Sequence, residues 1–346
     1  MKAGIYLGKE KIEIQELPLP EVGDYDVLIQ NLYSSICGTD VAVFTHGPNT
    51  GHKVTVGGEF GHETVSRIVK VGKEVKDFQV GERVYPYPRY AKKDTKRAGT
   101  IGGFSEYILI PEAKRNHSLY MVNEKISDRL ASLMEPFTVG CRAARRGMIP
   151  CGKKTYVKNQ KAVVFGCGTI GIAAAIAFKH FGMDKVMMCD HSDFRLKLAE
   201  NLGFAVCNSS TEDFQKKAKE YFGTAPSLSG ETADIDCWLD AAGAESILND
   251  FLQLGKIESR FVSVAVNNTL RSLDLLHMTY AQQSIIGSGG YMPEDVWDVQ
   301  EIMSCGKWDL ESIITHEFSL EQLETAIRTA SDVNHAGNVV VKMAKN

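Results

Sequence analysis

The chain has 346 residues, which is enough for two domains of typical size. It carries 39 Lys and Arg against 43 Asp and Glu, and this formal net charge of −4 argues against a protein that binds nucleic acid or an anionic membrane. Its most apolar stretch, at 170–178, is far shorter than the ~20 residues of a membrane span, and the N-terminus lacks the apolar core of a signal peptide. The eight cysteines are scattered without a C-x-x-C pair, which is typical of buried thiols in a reducing compartment. We therefore expect a cytoplasmic protein without membrane or nucleic-acid partners.

Residues 1–110 have the pattern of an irregular β-rich domain. Short apolar runs predict strands, and clusters of Gly, Asp and Pro separate them. The predicted strands are 27–29, 64–71, 83–85 and 107–110.

The pattern changes near residue 140 to an alternation of strands and helices. Asp193 is placed to cap the second of these helices, and Gly203 to end it. Such alternation is typical of a parallel, doubly wound sheet. The predicted strands are 161–165, 185–189, 235–239 and 261–266, and the predicted helices are 169–181 and 194–202.

Beyond residue 280, the pattern predicts amphipathic helices at 294–304 and 320–331 and a closing strand at 339–343. These elements lie outside the strand–helix repeat, so they favour a β-rich domain that the C-terminus completes. We predict an α/β fold in which residues 1–140 and 278–346 form the β-rich domain. Residues 141–277 are then a nucleotide-binding domain inserted between its two halves.

A glycine-rich turn joins the first predicted strand and helix of the inserted domain. In a G-x-G-x-x-G turn, the first Gly makes a tight turn and the second lets the backbone approach a pyrophosphate. The third allows close helix–strand packing, and the helix N-terminus attracts the anion. The pattern alone is common, but its place between a strand and a helix makes it specific. The turn consists of Gly166, Cys167, Gly168, Thr169, Ile170 and Gly171.

Asp190 ends the second predicted strand, about 20 residues after the glycine-rich turn. In dinucleotide-binding domains, an acidic residue at this distance hydrogen-bonds the ribose of the cofactor. Its carboxylate would accept both ribose hydroxyls and repel the 2′-phosphate of NADP, so the sequence favours NAD. His191 and Arg195 are nearby cations that would weaken this preference. Arg195 is equally well explained as a solvated helix residue.

Two short segments carry residue types that bind zinc. Cys37 begins the segment C-G-T-D after a predicted strand, and His62 and Glu63 follow another glycine-rich turn. A thiolate, an imidazole and a carboxylate are ligands of zinc, and a catalytic zinc keeps one position open. The spacing is neither that of a zinc finger nor that of a ribbon. Taken singly, a Cys is more often a packing residue and a His more often a hydrogen-bonded structural one.

Together these motifs resemble those of the zinc-dependent medium-chain alcohol dehydrogenases, and most of all the sorbitol and galactitol-1-phosphate dehydrogenase branch. The resemblance spans nearly the whole chain and implies a GroES-like β-rich catalytic domain joined to a Rossmann cofactor domain. The segments that carry it are C-G-T-D at 37–40, G-H-E at 61–63, V-G-x-x-V-x-x-F-x-x-G-E-R-V at 71–84, G-G-F-S-E-Y at 102–107, E-P-F-T-V-G at 135–140, the dinucleotide turn, and I-G-S at 286–288.

By this resemblance, Cys37 and His62 are zinc ligands, and Glu63 and Glu135 share the remaining coordination. Which glutamate binds directly stays open, although in the polyol branch a glutamate at the position of Glu135 replaces a second cysteine. Asp40 is expected to orient the site rather than to bind the metal. The resemblance implies cofactor contacts by the glycine-rich turn, Asp190 and Arg195. It also implies such contacts by Val139, Ala242, Val264 and Ser288.

Two features depart from the family pattern. The structural-zinc lobe normally has four closely spaced cysteines, but residues 86–101 contain none, so we expect one catalytic zinc and no structural zinc. Many relatives also have a relay histidine five residues after the zinc cysteine, where this chain has Ala42. Thr39 keeps the relay hydroxyl. His46 is a possible substitute for the histidine, but we expect an ordinary loop residue.

The implied reaction is the NAD-linked oxidation of a secondary alcohol, most of all a polyol, sugar or polyol phosphate, to a ketone. Zinc would lower the pKa of the substrate hydroxyl, Thr39 would pass the proton outward, and either glutamate would assist as general base. Three arginines suggest phosphate binding, but their helical spacing favours an exposed helix face. Three aromatic residues are candidates for the pocket or for packing. These residues are Arg142, Arg145, Arg146, Tyr291, Tyr87 and Phe44.

The alternatives use the same residues differently. A threonine-type or simple alcohol dehydrogenase would share the machinery, whereas a zinc-free quinone-reductase-like protein would lack Cys37, His62 and Glu135. A non-catalytic dinucleotide-binding regulatory protein would bind cofactor without turnover. The resemblance further implies a homodimer or homotetramer formed through the cofactor domain.

Overall fold

The computed structural model describes residues 1–51, 53–89, 91, 101–152, 155–267 and 269–343. The chain divides into two compact units. The first contains Met1–Pro136 and Met303–Asn346, and the second contains Phe137–Ile302. No helix among the described residues is long and apolar enough to cross a membrane.

The elements up to the second unit are β1 (Lys2–Gly8), β2 (Lys11–Glu16), β3 (Val27–Ser35), α1 (Gly38–His46), β4 (Gly58–Glu59), β5 (Glu63–Val71), β6 (Arg83–Pro86), β7 (Tyr107–Ile110), β8 (Leu119–Met121), α2 (Asp128–Ala131) and α3 (Met134–Gly147). The second unit continues with β9 (Pro150–Gly152), β10 (Thr155–Tyr156), β11 (Lys161–Phe165), α4 (Thr169–His180), β12 (Lys185–Asp190), α5 (Asp193–Asn201), β13 (Ala205–Asn208), α6 (Phe214–Phe222), β14 (Thr224–Ser227), β15 (Gly230–Ala233), β16 (Cys237–Asp240), α7 (Glu245–Leu254), β17 (Arg260–Ser263), α8 (Leu275–Ala281), β18 (Ser284–Gly287) and α9 (Pro293–Ser304). The chain ends with β19 (Ile314–Ser319), α10 (Leu323–Ala330) and β20 (Asn338–Lys342), and short 3-10 turns lie at Leu310–Ile313 and Leu320–Gln322.

The main sheet of the first unit has the strand order β19-β20-β3-β5-β6-β8, and β7 also pairs with β3. Its central strands are rich in Val and Ile, which suit buried pleated positions. Val340 of β20 lies opposite Ser35 of β3, so the C-terminal strand completes the β-rich unit, as the sequence predicts. Ser35 also lies opposite Glu63 of β5, and this register brings the end of β3 beside the start of β5.

The second unit is built on a six-stranded sheet with the order β13-β12-β11-β16-β17-β18. All five strand pairs are parallel, and the order is that of a doubly wound dinucleotide-binding fold. Residues 171–178 of α4 are all buried, which is typical of a helix that is apolar on every side. Trp238 of β16 lies within one large aromatic and aliphatic cluster of this unit. The predicted α/β fold with a β-rich unit and a parallel-sheet unit is confirmed.

The unit boundaries differ from those predicted. The chain divides after Pro136, inside α3, rather than after residue 140. At the other end, a division after residue 277 would remove β18 from the parallel sheet, where Gly287 lies opposite Ser263. This strand was missed because it has four residues, is at the edge of the sheet, and lacks a fully buried run.

One helix cap also differs from the prediction. The N-cap of α5 is Ser192, whose side chain accepts the backbone N–H of Arg195. Asp193 lies in the first turn, where its charge complements the helix dipole.

Candidate metal and cofactor sites

The register of β3 and β5 brings three zinc-type ligands together. Cys37 lies just beyond the end of β3 and is the N-cap residue of α1, while His62 immediately precedes Glu63, the first residue of β5. The Cys37 sulfur, a ring nitrogen of His62 and a carboxylate oxygen of Glu63 all lie within 4.8 Å of one another. Glu63 is only 2% exposed. Residues separated by 25 positions in the sequence thus form one compact donor set.

This donor set fits a zinc ion. Thiolate, imidazole and carboxylate groups are the ligands that zinc takes in proteins. The Oε2 atom of Glu63 is buried and has no hydrogen-bond partner among the described residues. Because a buried carboxylate oxygen without a donor is unfavourable, a cation at this point would satisfy it.

The electrostatics of the cluster favour the same conclusion. Burial raises the pKa of the Cys37 thiol well above its usual value, the charges of Glu63 and Asp40 raise it further, and hydrogen bonds from the Thr39 hydroxyl and amide oppose this rise. Burial also raises the pKa of Glu63, against the opposing charge of His62. Burial raises the pKa of Asp40 to about 7. The raised pKa values favour the protonated forms of these groups, and a divalent metal would displace those protons.

Asp40 contacts two of the three candidate ligands. Its Oδ2 atom accepts the backbone N–H of Cys37 at 3.0 Å, and its Oδ1 atom lies 3.8 Å from Nδ1 of His62. Asp40 is fully buried on the first turn of α1. The hydrogen bond fixes the backbone of Cys37, and the charge of Asp40 lies close enough to act on the His62 ring.

Glu135 lies in the first turn of α3 and is 9% exposed. It is not a member of the three-residue cluster, but it lies close enough to affect His62. Burial lowers the pKa of His62, whereas the charges of Asp40, Glu135 and Glu63 outweigh burial and raise this pKa above its usual value. Which of Glu63 and Glu135 binds the metal directly stays a prediction.

Four other candidate side chains lie at a helix end or in buried positions. His46 is the last residue of α1 rather than a loop residue. Phe44 is 2% exposed, and the Arg328 guanidinium lies 4.9 Å from its ring centre, so Phe44 is a core residue. Tyr87 and Tyr291 are also buried. The predicted absence of a structural zinc concerns residues 86–101, most of which lie outside the described residues.

The glycine-rich turn has the geometry that its sequence predicts. Gly166 has a φ of +97°, which a residue with a side chain rarely adopts. A Cβ atom on Gly171 would lie 1.8 Å from the carbonyl oxygen of Gly166, so only glycine fits between the turn and α4. At Gly168, the N-cap of α4, a Cβ atom would meet only the Arg195 guanidinium at 3.8 Å. This leaves room beside the helix N-terminus, where a pyrophosphate would bind.

The predicted cofactor residues gather at one end of the parallel sheet. Five of them end or follow five different strands, and ligands of doubly wound folds bind beyond the carboxyl ends of their strands. Gly140 of α3 packs against Ile170 and Ala173 of α4, which places its neighbour Val139 beside the first turn of that helix. The strand-end residues are Gly166 after β11, Asp190 in β12, Ala242 after β16, Val264 after β17 and Ser288 after β18.

Asp190 is held in place by the backbone around it. Its Oδ2 atom accepts the N–H of Cys167 at 2.6 Å, and its Oδ1 atom accepts the N–H groups of His191 and Ser192 at 2.7 and 2.9 Å. Arg195 lies near the same turn, since its charge lowers the pKa of Cys167 against the larger effect of burial. Asp190 and Arg195 therefore both border the space next to the glycine-rich turn.

The arginines of α3 are engaged in ion pairs. Arg145 donates to Asp295 at 2.7 Å and also pairs with Asp298, and Arg142 lies 3.7 Å from Asp295. Asp295 is fully buried. The expectation of an exposed helix face is therefore wrong for Arg142 and Arg145, because an acidic partner on α9 covers them. Arg146 is exposed and donates to the carbonyl of Gly287.

Sequence reasoning missed Asp240, the last residue of β16. Its buried carboxylate accepts the N–H groups of Ala242 and Gly243 at 2.9 and 2.7 Å and thereby shapes the turn after β16. Burial raises its pKa, and these two hydrogen bonds oppose the rise. An acidic residue that ends a buried strand before a small-residue turn, as Asp190 also does, was the available signal.

Two protein-family models match the chain. Residues 23–119 match the alcohol dehydrogenase GroES-like domain, and residues 169–304 match the zinc-binding dehydrogenase domain. An L-threonine 3-dehydrogenase from Serratia proteamaculans is 27% identical over 350 residues, which cover 96% of each chain.

Solved structures agree in fold. The 2R,3R-butanediol dehydrogenase of Bacillus subtilis gives a TM-score of 0.81 at 22% identity and covers 99% of each chain. The galactitol-1-phosphate dehydrogenase of Escherichia coli gives 0.81 at 22% identity, over 99% of this chain and 100% of that one. Both family domains, their order and the fold are thus present, and the chain belongs to the zinc-dependent medium-chain alcohol dehydrogenases, a family that works with NAD or NADP.

Proposed function

We propose that this protein oxidises a secondary alcohol to a ketone, with NAD as the hydride acceptor and zinc at the Cys37 site. The observation that carries the proposal is the clustering of Cys37, His62 and Glu63, whose ligand atoms lie within 4.8 Å of one another. In the overall reaction, the alcohol loses a hydride to NAD⁺ and a proton to solvent.

The chain's own residues would divide this work. Cys37, His62 and a glutamate would hold the zinc, which would act as a Lewis acid and lower the pKa of a substrate hydroxyl. Asp40 orients two of those ligands through the contacts described above. Thr39, whose hydroxyl hydrogen-bonds the Cys37 sulfur, is placed to carry the released proton outward.

We propose NAD rather than NADP as the cofactor. The amides of the glycine-rich turn and the N-terminus of α4 would bind the pyrophosphate. Asp190 keeps a fixed carboxylate next to this turn, and a carboxylate there repels a 2′-phosphate. Arg195 opposes this effect, so Asp190→Ser is expected to improve the affinity for NADPH relative to NADH on the order of tenfold. Fluorescence titration with both cofactors measures this ratio, and an unchanged ratio would remove Asp190 from the specificity argument.

The first substrate candidate is a polyol or sugar. Two of the similar solved structures are dehydrogenases named for galactitol-1-phosphate and 2R,3R-butanediol. Both compounds are secondary alcohols with neighbouring hydroxyls. Of the three arginines that suggested a bound phosphate, Arg142 and Arg145 are paired with Asp295, which weakens that suggestion. An unphosphorylated polyol is therefore favoured over a polyol phosphate.

The second candidate is L-threonine, whose 3-hydroxyl is also a secondary alcohol. The observation in its favour is the 27% identity to L-threonine 3-dehydrogenase along 96% of the chain. The same metal and cofactor chemistry would serve both candidates, so only the substrate pocket distinguishes them.

A substrate panel tests the proposal. NADH formation would be followed with sorbitol, galactitol-1-phosphate, 2R,3R-butanediol, L-threonine and simple secondary alcohols, before and after treatment with a chelator. We expect turnover of one substrate class, lost with the chelator and restored by zinc. NADH binding without turnover of any substrate by the zinc-loaded protein would instead favour a non-catalytic binding protein.

A further inference from the structure

Two cysteines face each other at the edge of the parallel sheet. Cys189 of β12 and Cys207 of β13 are directly opposite in the strand register. Opposite residues on neighbouring strands are about 4.8 Å apart, and a disulfide requires Cα atoms about 4.4–6.8 Å apart. Both side chains lie in the same hydrophobic cluster, so they extend from the same face of the sheet. This spacing lies within the disulfide range but below its commonest values of about 5.5–6 Å, so a disulfide is within reach of a small backbone adjustment.

The two thiols also influence each other. The Cys189 thiol donates a hydrogen bond to the Cys207 sulfur, and this bond lowers the pKa of Cys207 below its usual value. Burial, together with this interaction, raises the pKa of Cys189. Because the thiolate is the reactive form of cysteine, the lowered pKa favours Cys207 as the nucleophile of the pair.

The position of the pair in the sheet gives an oxidant a route to it. Both thiols are at most 1% exposed in the closed structure. However, β13 is the outermost strand, has only four residues, and its first two residues are partly exposed. Short edge strands open locally at low cost in free energy, so small oxidants reach side chains that are buried on average.

The pair directly precedes the predicted cofactor residue. Asp190 follows Cys189 in the chain and lies opposite Asn208, which follows Cys207. The Asp190 carboxylate accepts the N–H of Cys167 in the glycine-rich turn. A bond that draws Cys189 and Cys207 together therefore acts on the residue that would bind the ribose.

We propose that Cys189 and Cys207 form a redox modification site, at which a peroxide produces a disulfide that weakens cofactor binding through Asp190. The effect on the cofactor rests on the proposed function, whereas disulfide formation does not. The Cys207 thiolate attacks hydrogen peroxide, the O–O bond breaks, and the departing hydroxide takes a proton to become water. The Cys189 sulfur then attacks the sulfur of the resulting sulfenic acid and displaces hydroxide. This hydroxide takes the proton of the Cys189 thiol and leaves as a second water. Two electrons pass from the two sulfurs to the peroxide.

The disulfide shortens the sulfur–sulfur distance to about 2.05 Å. The ends of β12 and β13 must move to accommodate it, and the Asp190 carboxylate moves with them. A thiol reductant reverses the change by exchange.

The test uses the full-length protein treated with graded hydrogen peroxide and then with an alkylating agent. Peptide mapping without reduction locates disulfides, and fluorescence titration gives the dissociation constant for NADH. NADH binding is measured instead of turnover because oxidation of Cys37 would also stop turnover. We expect a 189–207 disulfide and a dissociation constant raised on the order of tenfold, with both changes reversed by dithiothreitol.

Two variants separate this pair from the other thiols. Cys207→Ser is expected to keep its NADH affinity after peroxide. The matched control is Cys237→Ser, because Cys237 is buried in the same sheet but lies opposite Ala162 and Arg260 rather than another cysteine. The NADH affinity of this variant should respond to peroxide like that of the unmodified protein.

The proposal is overturned if both thiols are still alkylated at peroxide doses that oxidise the exposed Cys151 and Cys305. It is also overturned if the disulfide forms and the NADH affinity does not change. The peptide map of the unmodified protein decides the first point even if Cys207→Ser does not fold. If the reduced protein binds no NADH, the proposed function fails together with the cofactor effect, and the map still decides whether the disulfide forms.

Discussion

The Nδ1 atom of His62 lies 3.8 Å from Oδ1 of Asp40, and the other carboxylate oxygen of Asp40 accepts the backbone N–H of Cys37. One buried carboxylate thus contacts two candidate metal ligands that come from different elements, α1 and the segment before β5. Groups that orient metal ligands in this way contribute strongly to metal affinity.

Asp40→Asn keeps the shape of this side chain and removes its charge. We expect the affinity for zinc to fall about 10–100-fold, because His62 and Cys37 lose a charged partner. Competition with a chromophoric chelator measures this affinity. The control is Asp24→Asn, an exposed residue paired with Lys73, which should leave it unchanged. Equal zinc affinities in the Asp40 variant and the unmodified protein would show that Asp40 has no such role.

The stability of the metal-free protein should depend on pH in a defined direction. The pKa of Asp40 is raised from 3.8 to about 7 in the folded state. Between these values the folded protein binds more protons than the unfolded chain, so the free energy of unfolding falls as the pH rises. The raised pKa values of His62 and Glu63 act in the same direction.

Melting temperatures at about pH 5 and pH 8 test this dependence with and without zinc. The chelator-treated protein should lose stability towards the higher pH, and Asp40→Asn should lose less. The stabilisation that zinc adds should grow with pH, because metal binding releases protons from its ligands. A zinc effect that is the same at both pH values would contradict a site made of protonatable ligands.

Two glycines of the dinucleotide turn should respond differently to alanine. Gly171→Ala places a Cβ atom 1.8 Å from the carbonyl of Gly166 and should lower the melting temperature by several degrees. Gly168→Ala meets only the Arg195 guanidinium at 3.8 Å, so it should fold normally but weaken NADH binding by blocking the approach of the pyrophosphate. Calorimetry and NADH titration distinguish the two effects. Normal NADH affinity in Gly168→Ala would place the pyrophosphate elsewhere.

The predicted homodimer or homotetramer has a candidate surface in the second unit. Leu270 is 98% exposed, and Leu276 and Tyr280 are each 67% exposed, close in sequence to the edge strand β18. Exposed apolar side chains grouped in this way mark protein contacts. Leu276→Asp should reduce the mass measured by light scattering, whereas Leu19→Asp, at an exposed leucine of the first unit, should not. An unmodified protein that is already monomeric would refute the prediction.

The sequence predicted the parallel sheet because its inner strands are continuous apolar runs, such as 161–165. It did not predict β18, because an edge strand is only half buried and its four residues resemble a loop. The choice between Ser192 and Asp193 as helix cap was also beyond sequence pattern, since both residue types cap helices and they are adjacent.

For the candidate sites, residue types were predictable and long-range contacts were not. Cys37, His62 and Glu63 all belong to motifs of the sequence, but the closeness of Cys37 to the other two depends on the register between β3 and β5. Arg145 and Asp295 are 150 positions apart, so no local pattern indicated that they form a buried ion pair. Helical spacing alone therefore assigned Arg145 to an exposed face.

The most direct test of the central claim is the zinc content of the purified protein and of Cys37→Ser, measured by mass spectrometry of the metal alongside NAD-linked turnover. We expect one zinc per chain with turnover in the unmodified protein, and the loss of both in the variant. Cys237→Ser, which changes a buried cysteine of the other unit, should keep both. Zinc that stays bound in Cys37→Ser, or turnover that persists in the protein stripped of metal, would show that Cys37 does not hold a catalytic zinc.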